Sequence, residues 1–116
     1  MNRRHMTTPC ENCPYRMDAP RKYWHRSEFE KVLRSERQHM GTTFACHKQY
    51  DLPAGERGFC AGWLLDQKKR GLPSIALRIA LMNDRDAQAA LDRVTNAGFK
   101  MFRTVKAMCR ANGVRR

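Results

Sequence analysis

No stretch of this chain approaches the ~20 apolar residues that a membrane-crossing helix needs, so the expectation is a protein without a membrane span. Acidic residues are scarce: 11 Asp and Glu face 23 Lys and Arg, giving a formal net charge of +12. There is no Gly-rich phosphate loop, no paired carboxylates and no Ser/His/Asp set, which points away from an enzyme. No internal repeat and no low-complexity segment is present. Aliphatic residues are thin before residue 60 and crowd into Leu64 to Leu81. A 116-residue chain so built is expected to be one small domain whose first half needs a staple.

No apolar leader precedes the cysteines, which number five, an odd count. Both facts argue against a disulfide framework and for a reducing cytoplasm, where C-x-x-C reads as metal-binding or redox. The order is C-x2-C-x32-C-H-x12-C: Cys10, Cys13, Cys46-His47 and Cys60. Two sulfurs two residues apart can reach one ion without strain. Adjacent residues rarely both ligate one ion, so the expected set is Cys10, Cys13, Cys46 and Cys60, with His47 as the alternative to Cys46. Zinc is the expected metal, since a closed tetrahedron of thiolates contributes folding energy directly. A [4Fe–4S] cluster also takes four thiolates and is the alternative. Cys109, on an apparently amphipathic stretch far from the others, is expected as a small core residue.

Catalytic uses of the cysteines fit less well. A thioredoxin-like site needs a βαβ setting that is missing here. A zinc deaminase needs His-x-Glu ahead of Pro-Cys-x-x-Cys, and His5 is followed by Met6-Thr7.

The charge suggests polyanionic partners, either nucleic acid or an acidic host protein surface. Residues 61–116 carry 12 basic and 4 acidic side chains against 11 and 7 before them. Four thiolates on zinc lower the net charge only to about +10, so a basic exterior survives. Arg21, Lys22 and Arg26 interleave with Tyr23 and Trp24, a mixture suited to stacking on nucleic acid. Tyr23 and Trp24 serve equally to close a small core over the metal, which is the preferred reading. Lys68, Lys69 and Arg70 suit either phosphate contact or the C-terminal end of a helix. Arg103 and Lys106 complete the candidate contact residues.

The patterning predicts a mainly α fold with an irregular or short-β metal knuckle. Residues 1–9 form a basic arm with Arg3 and Arg4, residues 10–82 the metal-stapled domain, and residues 83–116 a basic helical extension. Ser27-Glu28-Phe29-Glu30 fits a capping box opening a helix over 28–38. Thr42 to Ala45 is β-prone and leads into Cys46. Further helices are predicted from Cys60 to Gly71, over 75–82, from an Asn83-Asp84 cap towards Gly98, and from Phe99 to Gly113. On the last, Lys100, Arg103, Lys106 and Arg110 fall on one face.

The motifs Cys10-Glu-Asn-Cys13-Pro14-Tyr15-Arg16, Phe44-Ala-Cys46-His47 and Cys60-Ala-Gly62-Trp63 carry a resemblance. In order and spacing, over residues 8 to 80, the chain resembles small cysteine-rich domains of bacteriophages and actinobacteria. That likeness implies a metal site on Cys10, Cys13, Cys46 and Cys60 and a phage-related setting, hence a host-cell cytoplasm. More distantly it is similar to WhiB-type iron–sulfur regulators, although their motif order is not reproduced. The expected function is a small zinc-stapled regulator or binding module touching nucleic acid or a host nucleic-acid machine. The alternatives are an iron–sulfur redox or sensing protein, and a protein-only inhibitor of a host enzyme.

Overall fold

A computed structural model describes residues 5–38, 41–46, 49, 51–53, 57–71 and 73–114. Five helices follow one another: α1 (Arg26–Arg37), α2 (Ala61–Lys69), α3 (Ile75–Asn83), α4 (Arg85–Arg93) and α5 (Val105–Ala111). Helix α1 buries Phe29, Val32 and Leu33, the 3–4 spacing that marks one apolar stripe. Its cap is His25 rather than Ser27. The His25 side chain accepts from the Ser27 N–H, which places Ser27 inside the first turn and removes the predicted capping box. Thr104 and Ser74 cap α5 and α3 in the ordinary way, each hydroxyl accepting an N–H three residues on.

The predicted β character of Thr42 to Ala45 survives as an isolated antiparallel bridge. Ala45 faces Phe59, flanked by Cys46 N–H to Gly58 O (2.8 Å) and Cys60 N–H to Phe44 O (3.0 Å). The helix predicted from Phe99 to Gly113 is halved. Ala97 and Gly98 both take positive φ, turning the chain, and residues 99–104 run alongside the N-terminal knuckle instead. There Arg16 bridges Met101, Met17 N–H donates to Lys100 O and Phe102 N–H donates to Tyr15 O. The supposed basic face from Lys100 to Arg110 is therefore not one helix face. Helix α4 also stops short of Gly98. Val94 turns extended, and Thr95 N–H donates to Thr7 O.

One apolar cluster holds the fold together and draws from every helix. Leu64 of α2, Leu77 of α3 and Met108 of α5 are wholly enclosed, and each such burial contributes about 1.5–3 kcal/mol. Helix α5 packs on α1, and α4 packs on α2 and α3. The segment from residue 83 onward, predicted as an extension, places Ala87, Ala90, Val94, Val105 and Met108 in this same cluster. The result is a small, compact, mainly helical single domain with a Cα radius of gyration of 13.2 Å. No helix of the described residues is long and apolar enough to cross a membrane.

Of the predicted N-terminal arm, Arg3 and Arg4 lie outside the described residues, and residues 5–7 are hydrogen-bonded into the domain. Met6 N–H donates to Phe59 O. The His5 side chain, 1% exposed, accepts from Phe59 N–H at Nδ1, so Nε2 carries the proton and donates to Asp84 (2.9 Å). Asp84 meanwhile caps α4, its Oδ1 accepting from Asp86 and Ala87. Burial raises its pKa, but the His5 bond and these amides outweigh that and hold the carboxyl below its ordinary range.

A group depressed in the folded state stabilises at pH values above its unfolded pKa and loses that contribution as acid protonates the folded form. Asp84→Ala is therefore expected to cost about 1 kcal/mol or more at neutral pH. The gap from wild type should close as pH falls below about 4. Urea titrations at several pH values check both; a gap that persists in acid contradicts the assignment.

Candidate functional site

The cysteines lie where three backbone segments converge. The first is a turn in which Cys13 N–H donates to Cys10 O (3.1 Å) and Arg16 N–H to Cys13 O (3.0 Å). Its outer carbonyls are clamped: Arg16 Nη1 donates to Cys10 O and Trp24 Nε1 to Asn12 O. Arg16 is itself held by a two-pronged bond to Asp18 and lies 3.6 Å over the Phe99 ring. The second and third segments are the paired stretches around Cys46 and Cys60. Positions 46 and 60 share one side of that ribbon, as residues flanking a facing pair do. Cys60 is then the residue from which α2 starts.

All four cysteines line one small cavity, together with Met6, Thr8, Pro14, Trp24 and Ala61. None is in a disulfide, and Cys13, Cys46 and Cys60 are buried. Cys13 Sγ and Cys60 Sγ stand 4.0 Å apart. Two thiolates on one tetrahedral zinc, at a Zn–S distance of about 2.3 Å, stand about 3.8 Å apart. Among the described residues, no group of three or more His, Cys, Asp or Glu side chains is arranged to hold a metal ion as it stands. His47, the predicted alternative ligand, lies outside the described residues.

The two thiols of the pair are shifted in opposite directions. The hydrogen bond from Cys60 lowers the pKa of Cys13 against the opposing effect of burial, assisted by the amides of Tyr15 and Gly62. Cys60, giving that bond and fully enclosed, is pushed the other way. No cap bond to the Cys60 side chain is formed, yet the Trp63 and Gly62 amides at the open first turn of α2 act to lower its pKa. Amide N–H groups aimed at sulfur are what a metal thiolate needs once its proton has gone.

Gly62 lets the helix and the knuckle meet. A Cβ built there would lie 2.6 Å from Tyr15 Cβ and 2.8 Å from Cys13 Sγ. The spacing Cys60-Ala-Gly62-Trp63 was visible in the sequence, but the reason for its glycine required the fold. Cys109 sits apart in the core, its thiol donating towards Phe29 O and pushed up to about 11 by burial.

Tyr23 and Trp24 divide. Trp24 walls the cysteine cavity as the sequence suggested, whereas Tyr23 is 54% exposed beside Arg21 and Lys22. The eight candidate contact residues fall into three groups. Arg21, Lys22, Arg103 and Lys106 come together around α5. The Arg21 guanidinium lies 5.0 Å over the Phe102 ring, Lys22 N–H donates to Asn112 Oδ1 at the far end of α5, and Arg103 and Lys106 flank its start. All four are exposed. Arg26 stands on α1, paired with Glu30.

Lys68, Lys69 and Arg70 close α2 and are engaged locally. Lys68 donates to Asp92 O, Lys69 to the Phe102 and Arg103 carbonyls, and Arg70 to both Asp66 (2.6 Å) and Glu36 (2.7 Å). This triplet ties α2 to its surroundings.

No curated protein and no solved structure matches the chain. One protein family does: its sequence model runs over residues 5–116, taking in the C-terminal helices that the motif resemblance leaves out. The chain belongs to that family, the family of unknown function DUF6283.

Proposed function

We propose that this protein is a zinc-stapled binding module that contacts nucleic acid through the basic surface around α5. The observation that carries the metal part is the convergence of Cys10, Cys13, Cys46 and Cys60 on one cavity, with two sulfurs at single-ion spacing. Zinc bound there supplies folding energy and no chemistry. The 4.0 Å separation favours one ion over a cubane, whose thiolates sit on different irons and stand farther apart. Protein purified without oxygen should be colourless and hold one zinc per chain; a brown preparation absorbing in the visible range overturns this reading for the cluster.

Charge and placement support the nucleic-acid part. The +12 chain gathers Arg21, Lys22, Arg103 and Lys106 from two distant segments, with exposed Tyr23 next to them for stacking. Binding should weaken steeply with salt. The double variant Arg21→Glu/Lys22→Glu should lower affinity by about tenfold or more and flatten the salt slope by about one per lost phosphate contact.

Arg70→Ala should behave otherwise. It leaves the buried Asp66 carboxylate with Lys69 at 3.7 Å as its remaining ion pair. The fold should weaken by about 1–2 kcal/mol, a figure reduced for the partial exposure of Arg70, with little change in affinity. Fluorescence anisotropy on single-stranded and duplex oligonucleotides, paired with urea melts, separates the two behaviours. Negligible affinity at low salt sinks the nucleic-acid part and leaves a protein partner, which pull-down after nuclease treatment would identify.

A further inference from the structure

A second cavity, of about 170 Å³, opens between α1, α2 and the turn before α3. Its wall combines the rings of Tyr15, Phe44 and Trp63 with Ser35, Glu36, Asp66, Gln67, Arg70 and Ser74. Four features mark it as more than a packing fault. The Tyr15 hydroxyl is enclosed and has no hydrogen-bond partner among the described residues, in a residue that is only 6% exposed. Asp66 and Gln67 are buried polar side chains, a costly pair to place beside a void. Gln67 Oε1 is committed to Ser74 N–H, which orients its amide and leaves Nε2 as a donor. Among the described residues, Arg70 is fixed by Nε and Nη2 alone, with Nη1 left over.

The charges decide the kind of ligand. Glu36 and Asp66 repel an anion, while Arg70 between them and Lys69, 3.7 Å from Asp66, together balance the two carboxylates and leave no net charge to hold a cation. What remains is a neutral molecule that both gives and takes hydrogen bonds: it gives to the carboxylates and takes from Gln67 Nε2, Arg70 Nη1 or the Tyr15 hydroxyl. Three aromatic rings in the wall favour a planar body. A cavity of about 150 Å³ holds benzene, so this one has room for a single ring with its substituents and not for a nucleotide.

We infer that the Tyr15–Asp66–Gln67–Arg70 cavity is a binding site for a neutral planar heterocycle or arene with a lactam or carboxamide edge. The site shares no lining residue with the cysteine cavity, although Tyr15 follows the knuckle directly.

The test titrates the intact, metal-loaded protein with uracil and nicotinamide as probes. Benzoate, benzamidinium and benzene serve as anionic, cationic and apolar counterparts. Trp63 fluorescence and amide chemical shifts report binding. At least one of the two neutral probes should bind at roughly millimolar concentration or below, and at least about tenfold more tightly than any counterpart. Tyr15→Phe removes only the unpartnered hydroxyl, so it should keep its metal and its melting temperature while weakening the probe by about tenfold. The inference is overturned if neither neutral probe binds, if a counterpart binds as well, or if Tyr15→Phe folds and binds as wild type does. Should Tyr15→Phe not fold, the wild-type shifts decide: changes confined to the Ser35, Gly41, Gln67 and Ser74 amides support the site, and changes elsewhere overturn it.

Discussion

Gly62→Ala is expected to destabilise the protein by about 2–3 kcal/mol, the upper part of the range for inserting a methyl where no space exists. The new Cβ would sit 2.6 Å from Tyr15 Cβ, 2.7 Å from Tyr15 Cδ2 and 2.8 Å from Cys13 Sγ. None of these neighbours is the loose end of a flexible side chain. Tyr15 is walled in by the core, and the Cys13 backbone is pinned by the clamped turn. Helix propensity alone favours the change, because alanine outranks glycine by about 1 kcal/mol inside a helix. The sign of the measured effect therefore decides between close approach and propensity. Urea denaturation should show the loss, and metal analysis should show weakened retention, since the displaced sulfur is a ligand in our proposal. A stabilised, fully metallated variant would contradict both.

Removing the metal should have a still larger effect. In small zinc domains, binding free energy is folding free energy, of order 10 kcal/mol. Cys60→Ala deletes the sulfur nearest to Cys13 and should yield a chain that neither holds zinc nor melts cooperatively in its first half. A strong chelator should do the same to wild type. Acid should release the metal too, as protons compete for the thiolates. Cys109→Ala supplies the control: its thiol is buried away from the cavity, so metal content should be unchanged and the cost confined to a small core loss. Circular dichroism with zinc quantification reads all four conditions. If Cys60→Ala keeps one zinc and a sharp melt, the four-cysteine site is wrong, and Cys46→Ala with His47→Ala becomes the comparison to make.

Much of the helical plan was legible because it rests on local chemistry. The Phe29, Val32, Leu33 stripe, the Ser74 restart and the Asp84 cap are all short-range signals, and each marks a helix in the structure. The miss at Phe99 to Gly113 has a tertiary cause. Phe99 and Phe102 sit at helical spacing, but the backbone of residues 100–102 is taken by residues 15–17 and the two rings by Arg16 and Arg21. No window of sequence contains that competition. The gathering of the cysteines was readable from the C-x-x-C spacing and from the scarcity of aliphatics around it. The roles of Gly62, His5 and the Tyr15 hydroxyl were not, since each is defined by a contact with a distant segment.

The contacts that finish the N-terminal half bear on how the chain is made. His5 reaches Asp84, Thr7 O takes a bond from Thr95, Tyr15 O takes one from Phe102, and Lys22 is held by Asn112. A nascent chain emerging from the ribosome has none of these partners until residue 84 has been added, and lacks the full set until residue 112. Domains commonly fold as units in the order they are synthesised, but here the contacts of residues 5–22 are completed only by residues 84–112.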